Sequence, residues 1–232
     1  PNNFITRQEV AAVLVKILNP ESSPYILFSK FTDSNEIPEW SMSAINTVVA
    51  NNYMGGYPDG TFKPTQLITR AESLSVLDRA IGALFNQPGI YTTDLIEGNL
   101  TISHQDITLK NTIINGNLYL TEGIGQGTVV LDNVQVKGTT RISGGGENSI
   151  LIKDSILGTV LIDSSLQQKI RVLAQGSTKI SSIEVKTNVK LQEQNLTDSG
   201  FEKVLVQGAQ IELLGDFSEV KIEERAQIDL LQ

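Results

Sequence analysis

The sequence predicts an α+β chain of two domains, a small all-α helical bundle followed by a single-stranded parallel β-helix. Three observations lead there. One pattern occurs twice, at Pro1–Glu9 and Pro64–Glu72, and each copy opens an apolar run at helical spacing. After about residue 90 that spacing gives way to short β-branched runs broken by Gly, Asn, Asp and Ser. These runs recur every 21–22 residues, the mark of a solenoid whose coils bury a common core. The expected boundaries are 1–85 for the helical part (1–19 a partial repeat, 31–85 a complete one), 86–94 for a linker and 95–232 for the β-helix.

In the helical part, Thr6 with Glu9 and Thr69 with Glu72 have the spacing of a capping box. There a hydroxyl accepts from the N–H three residues on, and the glutamate reaches back to the threonine N–H. The first box leads into Val10, Ala11, Val13, Leu14, Ile17 and Leu18, ending near Asn19-Pro20. The second leads into Leu74, Leu77, Ala80, Ile81 and Leu84, ending between Gly82 and Asn86. Between them Trp40, Ala44, Ile45, Val48 and Val49 fall on one face of a third helix, with Pro38 and Glu39 suited to its first turn. Gly55-Gly56 and Tyr57-Pro58-Asp59-Gly60 demand a loop and a turn, and Phe62 is expected to anchor it from below.

Arg7 and Arg70 both fall at the first helical position. A cation at that end of the helix dipole is unfavourable by about 0.3–1 kcal/mol, so each needs compensation. Either a neighbouring carboxylate supplies it, or the arginine and the free helix N–H groups together hold an anionic ligand. Thr69 and Glu72 are accounted for as a cap.

At this point the residues carry a resemblance. Phe31-Thr32-Asp33, Trp40, Ala44-Ile45, Gly55, Gly56-Tyr57-Pro58-Asp59-Gly60-Thr61-Phe62, Pro64 and Ile68-Thr69-Arg70-Ala71-Glu72, in this order and spacing, resemble one complete S-layer homology repeat. Residues 1–18 resemble the closing helix of a preceding repeat, and the resemblance covers about the first 85 residues. It implies a helical bundle, usually of three repeats, that binds secondary cell wall polymer, typically through a terminal pyruvylated amino sugar. On the matching positions it implies that Asp33 and Trp40 help form a sugar groove and that Gly55 and Gly56 let the backbone approach the ligand. It further implies that Arg70, and Arg7 in the partial repeat, meet the pyruvate carboxylate. The residues alone leave Trp40 open as a core anchor and Asp33 as a cap or turn residue. The location implied is extracellular, in the cell wall or surface layer of a Gram-positive-type bacterium.

The composition agrees with this division. Hydrophobic residues make up 40% of the chain, charged ones 19% and aromatic ones 6%, with 19 glycines, which favours β-rich structure with many turns. The net charge of −8 divides into −2 over residues 1–85 (6 basic, 8 acidic) and −6 over the rest (12 basic, 18 acidic). That balance argues against a nucleic-acid partner. No apolar run reaches the roughly 18 residues of a membrane span. Without cysteine there is neither a disulfide nor thiolate chemistry. No signal peptide is visible, and the chain opens inside a repeat, so upstream sequence is expected.

In the second part, Leu109–Gly116 aligns with Leu131–Gly138, and Ile152–Gly158 follows 21 residues later. Leu109, Leu131 and Ile152 are expected to stack as an interior ladder, with Leu118/Leu120, Thr140/Ile142 and Val160/Ile162 as a second. Leu173 continues the first more weakly. Asn111, Asn133 and Asp154 are expected to stack at one bend, either as turn residues or as a metal or sugar site. Gly144-Gly145-Gly146 predicts a protruding or bent loop, and polar Leu191–Gly200 a segment that bulges out. Alternation resumes to Ile228-Asp229-Leu230 with no polar cap after Gln232, which predicts that the chain continues.

Catalytic chemistry finds little footing. Glycoside hydrolysis needs two carboxylates on one groove, and Asp132, Asp154 and Asp163 are the candidates. His104 has no partner motif, and Asp33-Ser34-Asn35-Glu36 has only the opening of a calcium loop. The leading expectation is a non-catalytic surface protein, anchored through its helical repeats and using the β-helix as a spacer or interaction surface, without cofactor or metal. A carbohydrate-active enzyme (polysaccharide lyase or glycoside hydrolase) is the alternative, and self-association in a surface layer a further expectation.

Overall fold

A computed structural model describes residues 4–18, 20, 22, 27–166, 168–207, 210–224 and 226–231. Pro1–Asn3, Asn19 and Gln232, on which the motif proline, one helix end and the final residue were read, lie outside the described residues. The chain forms two compact units, Pro1–Ile81 and Gly82–Gln232.

The first unit holds three helices: α1 (Arg7–Leu18), α2 (Glu39–Ala50) and α3 (Arg70–Ile81). In both capping boxes the glutamate reaches back to the threonine. The Thr6 N–H donates to Glu9 Oε2 at 2.7 Å and the Thr69 N–H to Glu72 Oε2 at 2.8 Å. In the second copy the reciprocal bond from the Glu72 N–H to Thr69 Oγ1 is also present, at 3.2 Å. The two motif copies run antiparallel, bridged at Thr6 and Leu67, with the Ile68 N–H donating to the Ile5 carbonyl. Phe62 is fully buried under its loop, tilted against Phe31 at 5.3 Å.

The buried helical faces differ from those expected. On α1 and α2, Ala11, Leu14, Ala44, Ile45, Val48 and Val49 are buried, but Trp40 is 58% exposed and Ser41 takes its inward place. Contact with α1 is made in the first turn by Ser41, whose hydroxyl donates to Gln8 Oε1 at 3.3 Å, and Trp40 beside it falls on the outer side. On α3 the inner positions are Val76 and Ala80, whereas Leu74 (69% exposed) and Leu77 face outward. Leu84, expected on the same helix, lies instead in strand Ala83–Phe85.

The second unit is a parallel β-solenoid with three strand faces per coil. In the first face Tyr91, Leu109, Leu131, Ile152 and Ala174 stand in register. In the second, Leu95, Ile113, Gln135, Ile156 and Lys179 do. In the third, Leu100, Leu118, Thr140, Val160 and Ile183 follow one another. Every pairing among the described strands of this unit is parallel, and Leu109, Leu131 and Ile152 are fully buried in the ladder expected of them. The next interior residue is Ala174 rather than Leu173, which pairs with Leu151. The segment expected as a linker, 86–94, contains strand Gly89–Thr92 in register with Ile107–Lys110, and the first strand begins at Ala83. Pro88 and Gly89 resembled a linker because they turn the chain from the third face of one coil to the first face of the next. Leu191–Gly200 does not loop out as a whole: Val189–Leu196 is a strand with a single extra residue, Asn195. Lys190 and Gln192 alternate outward, and Glu193, in register with Ala174, has its oxygens accept the Phe201 and Asp216 N–H groups, so polarity did not prevent pairing.

The bend between the first and second faces explains the Asn/Asp column. Asn111, Asn133 and Asp154 have φ of 50°, 57° and 51°, and Gly176 and Asn195 continue with 62° and 52°. Left-handed backbone at one corner selects Asn, Asp and Gly. Across two coils Asn133 Nδ2 donates to Asn111 Oδ1 at 2.8 Å. A second ladder escaped the sequence reading: Asn99 Oδ1 accepts from the Asn117 N–H, and Asn117 Oδ1 from the Thr139 N–H, at 2.8 and 2.9 Å.

One interior position breaks the pattern. Thr140 stands fully buried between Leu118 and Val160, and its hydroxyl has no partner among the described residues. A buried hydroxyl left unpaired destabilises, and valine has nearly its shape. Thr140→Val is therefore expected to stabilise the solenoid by about 1 kcal/mol, read as a higher urea midpoint at unchanged slope.

Candidate functional site

The first unit contains a cleft of about 320 Å³ at which residues of the two motif copies meet. Arg7 comes from the first copy; Gly55, Gly56 and Tyr57 come from the loop of the second; Glu72, Ser75 and Arg79 come from α3.

Arg7 is buried, at 5% exposure. Its Nε donates to the Phe62 carbonyl at 2.8 Å and its Nη2 to the Gly55 carbonyl at 2.6 Å. Its Nη1 lies 3.7 Å from Glu72 Oε1, and its guanidinium sits 4.6 Å from the Tyr57 ring centre and 4.8 Å from that of Phe62. A guanidinium cannot shed its charge on burial, so carbonyls, carboxylate and ring faces together replace its hydration. The free helix N–H groups anticipated beside it are taken: the Arg7 and Gln8 N–H groups donate to the Gln66 and Pro64 carbonyls at 2.9 and 3.0 Å. Of the two compensations open to Arg7, the neighbouring carboxylate is the one present, joined by loop carbonyls.

Arg70 has the same motif position and a different environment. It is exposed, does not line the cleft, and makes no hydrogen bond or ion pair among the described residues. Asp33 is buried, and its two oxygens accept the Phe62 and Lys63 N–H groups at 2.8 and 2.7 Å. It thus ties the loop down through both of its oxygens. Trp40 is exposed and outside this cleft. Of the six residues named from the sequence, the structure brings together Arg7, Gly55 and Gly56.

The two glycines differ. A Cβ at Gly56 would come within 2.4 Å of the Phe31 ring and 2.8 Å of the Thr61 carbonyl, whereas a Cβ at Gly55 meets nothing within 4 Å. Gly56 is required by packing; Gly55 leaves open space at the cleft.

Glu72, explained from the sequence as a cap, divides its oxygens. Oε2 caps α3, and Oε1 accepts the Tyr57 hydroxyl and faces Arg7. The Tyr57 hydroxyl, then the Thr69 N–H and hydroxyl, hold the Glu72 carboxyl at about 2, below its ordinary 4.5. Burial and the Glu72 bond push the Tyr57 hydroxyl upward. Tyr57, Ser75 and Arg79 were not singled out beforehand. Glu72, Ser75, Val76 and Arg79 stand at i, i+3, i+4 and i+7, a single helical stripe that could have been found.

The acidic candidates on the solenoid are engaged elsewhere. Asp132 pairs with Lys110 and Asp163 with Arg141, each at 3.2 Å, and Asp154 Oδ1 accepts the Ser177 N–H at 2.9 Å. His104 is half-buried, its Nδ1 2.7 Å from the Gln105 carbonyl. Among the described residues no group of three or more His, Cys, Asp or Glu could hold a metal, and no helix is long and apolar enough to cross a membrane.

The fold and cleft define a helical repeat module followed by a β-solenoid. Residues 30–72 match the S-layer homology domain family, so the helical unit carries an S-layer homology repeat. The chain is 41% identical over 81 residues to the cellulosome-anchoring protein of Acetivibrio thermocellus, covering 33% of this chain and 17% of that one. It is 32% identical over 102 residues to cell surface glycoprotein 1 of the same organism (39% and 4% covered). It is 25% identical over 118 residues to the middle cell wall protein of Brevibacillus brevis (50% and 11% covered). The chain thus spans less than a fifth of the length of each. No solved structure matches it.

Three expected outcomes follow from this geometry, the first two readable through Trp40, the single tryptophan, which lies in the helical unit. Arg7→Ala strands two carbonyls and should destabilise that unit by about 2–4 kcal/mol. Arg70→Ala should stay within about 0.5 kcal/mol of wild type in the same urea titration. Because the Glu72 pKa is depressed on folding, its stabilisation is complete above pH 4.5 and lost as pH falls towards about 2. The melting-temperature gap between wild type and Glu72→Gln should therefore close across that window.

Proposed function

We propose that this protein is a cell-surface anchoring protein whose helical unit binds an anionic cell wall polymer at the cleft around Arg7. One observation carries the reading: Arg7 of the partial repeat and the Gly55–Tyr57 loop of the complete repeat converge on one opening. Arg7 has five N–H donors, of which bonds to Phe62 and Gly55 use two. The remaining donors and the charge of Arg79 at the same cleft offset Glu72 and favour a carboxylate such as a pyruvyl group. Gly55 leaves room for a sugar ring against the backbone. Exposed Arg70 supplies a second contact for the polymer and Trp40 an exposed ring on which a sugar can stack, while Asp33 and Gly56 hold the loop in shape. The family match at 30–72 and the names of the relatives, which speak of anchoring, cell surface and cell wall, support a place at the cell envelope. The solenoid serves there as a rigid, non-catalytic spacer or interaction surface.

The test is co-sedimentation of the chain with purified wall polymer. Gly55→Ala should leave stability unchanged and weaken binding about tenfold, while Arg70→Ala should weaken it severalfold. Removing the pyruvyl groups should lower retention as far as Gly55→Ala does. If wild type fails to sediment, or Gly55→Ala binds equally well, the cleft has no such role.

A further inference from the structure

The solenoid has a second cleft, of about 390 Å³, lined by residues of four successive coils beside the left-handed corner. We propose that it binds a linear glycan free of carboxylate and phosphate groups, a ligand chemically opposite to that of the helical cleft.

Two outward ladders border it. The first is Asn111, Asn133 and Asp154 at the corner; the second is Ile113, Gln135 and Ile156 on the adjoining face. Each advances by one coil, about 4.8 Å per step. A site that repeats at that interval suits a ligand that repeats at a similar one. Same-face side chains of an extended peptide recur only every second residue, about 6.6 Å, and fall out of step at once. A chain of equatorially linked pyranose rings advances by close to one coil per ring.

The chemistry of the lining points the same way. Asn133 Nδ2 is spent on Asn111 Oδ1, which leaves Asn111 Nδ2 and Asn133 Oδ1 without a partner among the described residues. An outward donor beside an outward acceptor matches a hydroxyl, which is both. Ile113 (38% exposed) and Ile156 (50%) face solvent, with exposed Leu95 next in the column. Leu95 and Ile113 on one side of Gln135, and Ile156 on the other, are aliphatic where outward positions are normally polar, and suit the C–H face of a sugar ring. Asp94 and Asp154 line the cleft and no lysine or arginine does, although Lys153 approaches Asp154 at 3.7 Å from outside the lining. The Ser177 N–H lowers the Asp154 pKa, so the corner stays negative. This field repels acidic polymers and accepts neutral or amino-bearing ones.

The experiment is calorimetric titration of the whole chain with three hexasaccharides: N-acetylglucosamine, glucosamine and galacturonate. At least one of the first two should bind, and galacturonate about tenfold or more weaker. Two double variants probe the ladders while keeping the backbone. Asn111→Gly with Asn133→Gly preserves the positive φ, and Ile113→Thr with Ile156→Thr preserves strand preference. Each should weaken binding about tenfold with an unchanged thermal transition, and Gly55→Ala in the helical cleft should leave it intact. The proposal is overturned if neither glucosamine-series sugar binds wild type. It is also overturned if galacturonate binds equally well, if both double variants bind as wild type does, or if Gly55→Ala abolishes binding.

Discussion

Burying a guanidinium that cannot be neutralised is the constraint on which the helical unit depends. Arg7 must find acceptors for its N–H groups and a counter-charge, and it finds them in the Gly55 and Phe62 carbonyls, Glu72 and two ring faces. Those contacts hold the Gly55–Phe62 loop against the start of α1. Asp33 completes the arrangement from the other side by accepting the Phe62 and Lys63 N–H groups. The cleft is a by-product of this satisfaction: a loop drawn onto an arginine, with one glycine that packs and one that leaves space. Glu72 couples the cleft to α3, because one carboxylate both caps the helix and faces the arginine.

The solenoid obeys a different constraint. Each coil must return in register with the last, so the chain bends sharply at a fixed place in every coil. At the first bend the backbone enters the left-handed region, and Asn, Asp or Gly recurs there. Inward positions are almost wholly apolar and stack as like on like, while polar residues satisfy the bends through side-chain to backbone ladders. The outward positions are free of this demand, and aliphatic side chains beside open amides there call for an explanation other than stability.

Much of this was legible. The capping boxes, the three helices, the parallel solenoid and the registers of Leu109/Leu131/Ile152 and Leu118/Thr140/Val160 follow from local spacing. The inner faces of the helices were harder, since Trp40, Leu74 and Leu77 are apolar yet exposed. Helical spacing identifies an apolar stripe but not which stripe meets a neighbour. The short first coil was also obscured: from Leu100 to Leu118 is only 18 residues, so 86–94 fell outside the period and read as a linker.

By itself, then, the sequence determined the repeats, the element types and the residues suited to caps and left-handed corners. Those depend on chemistry between near neighbours or on a period along the chain. Only the tertiary structure decided that Arg7 and Arg70, identical in motif, differ in role. Their neighbours differ at a few positions, such as Gln8 against Ala71 and Val10 against Ser73, but none of these says which arginine is enclosed. The difference lies in what arrives from far along the chain: Gly55, Phe62 and Glu72 close around Arg7, and no such group among the described residues closes around Arg70.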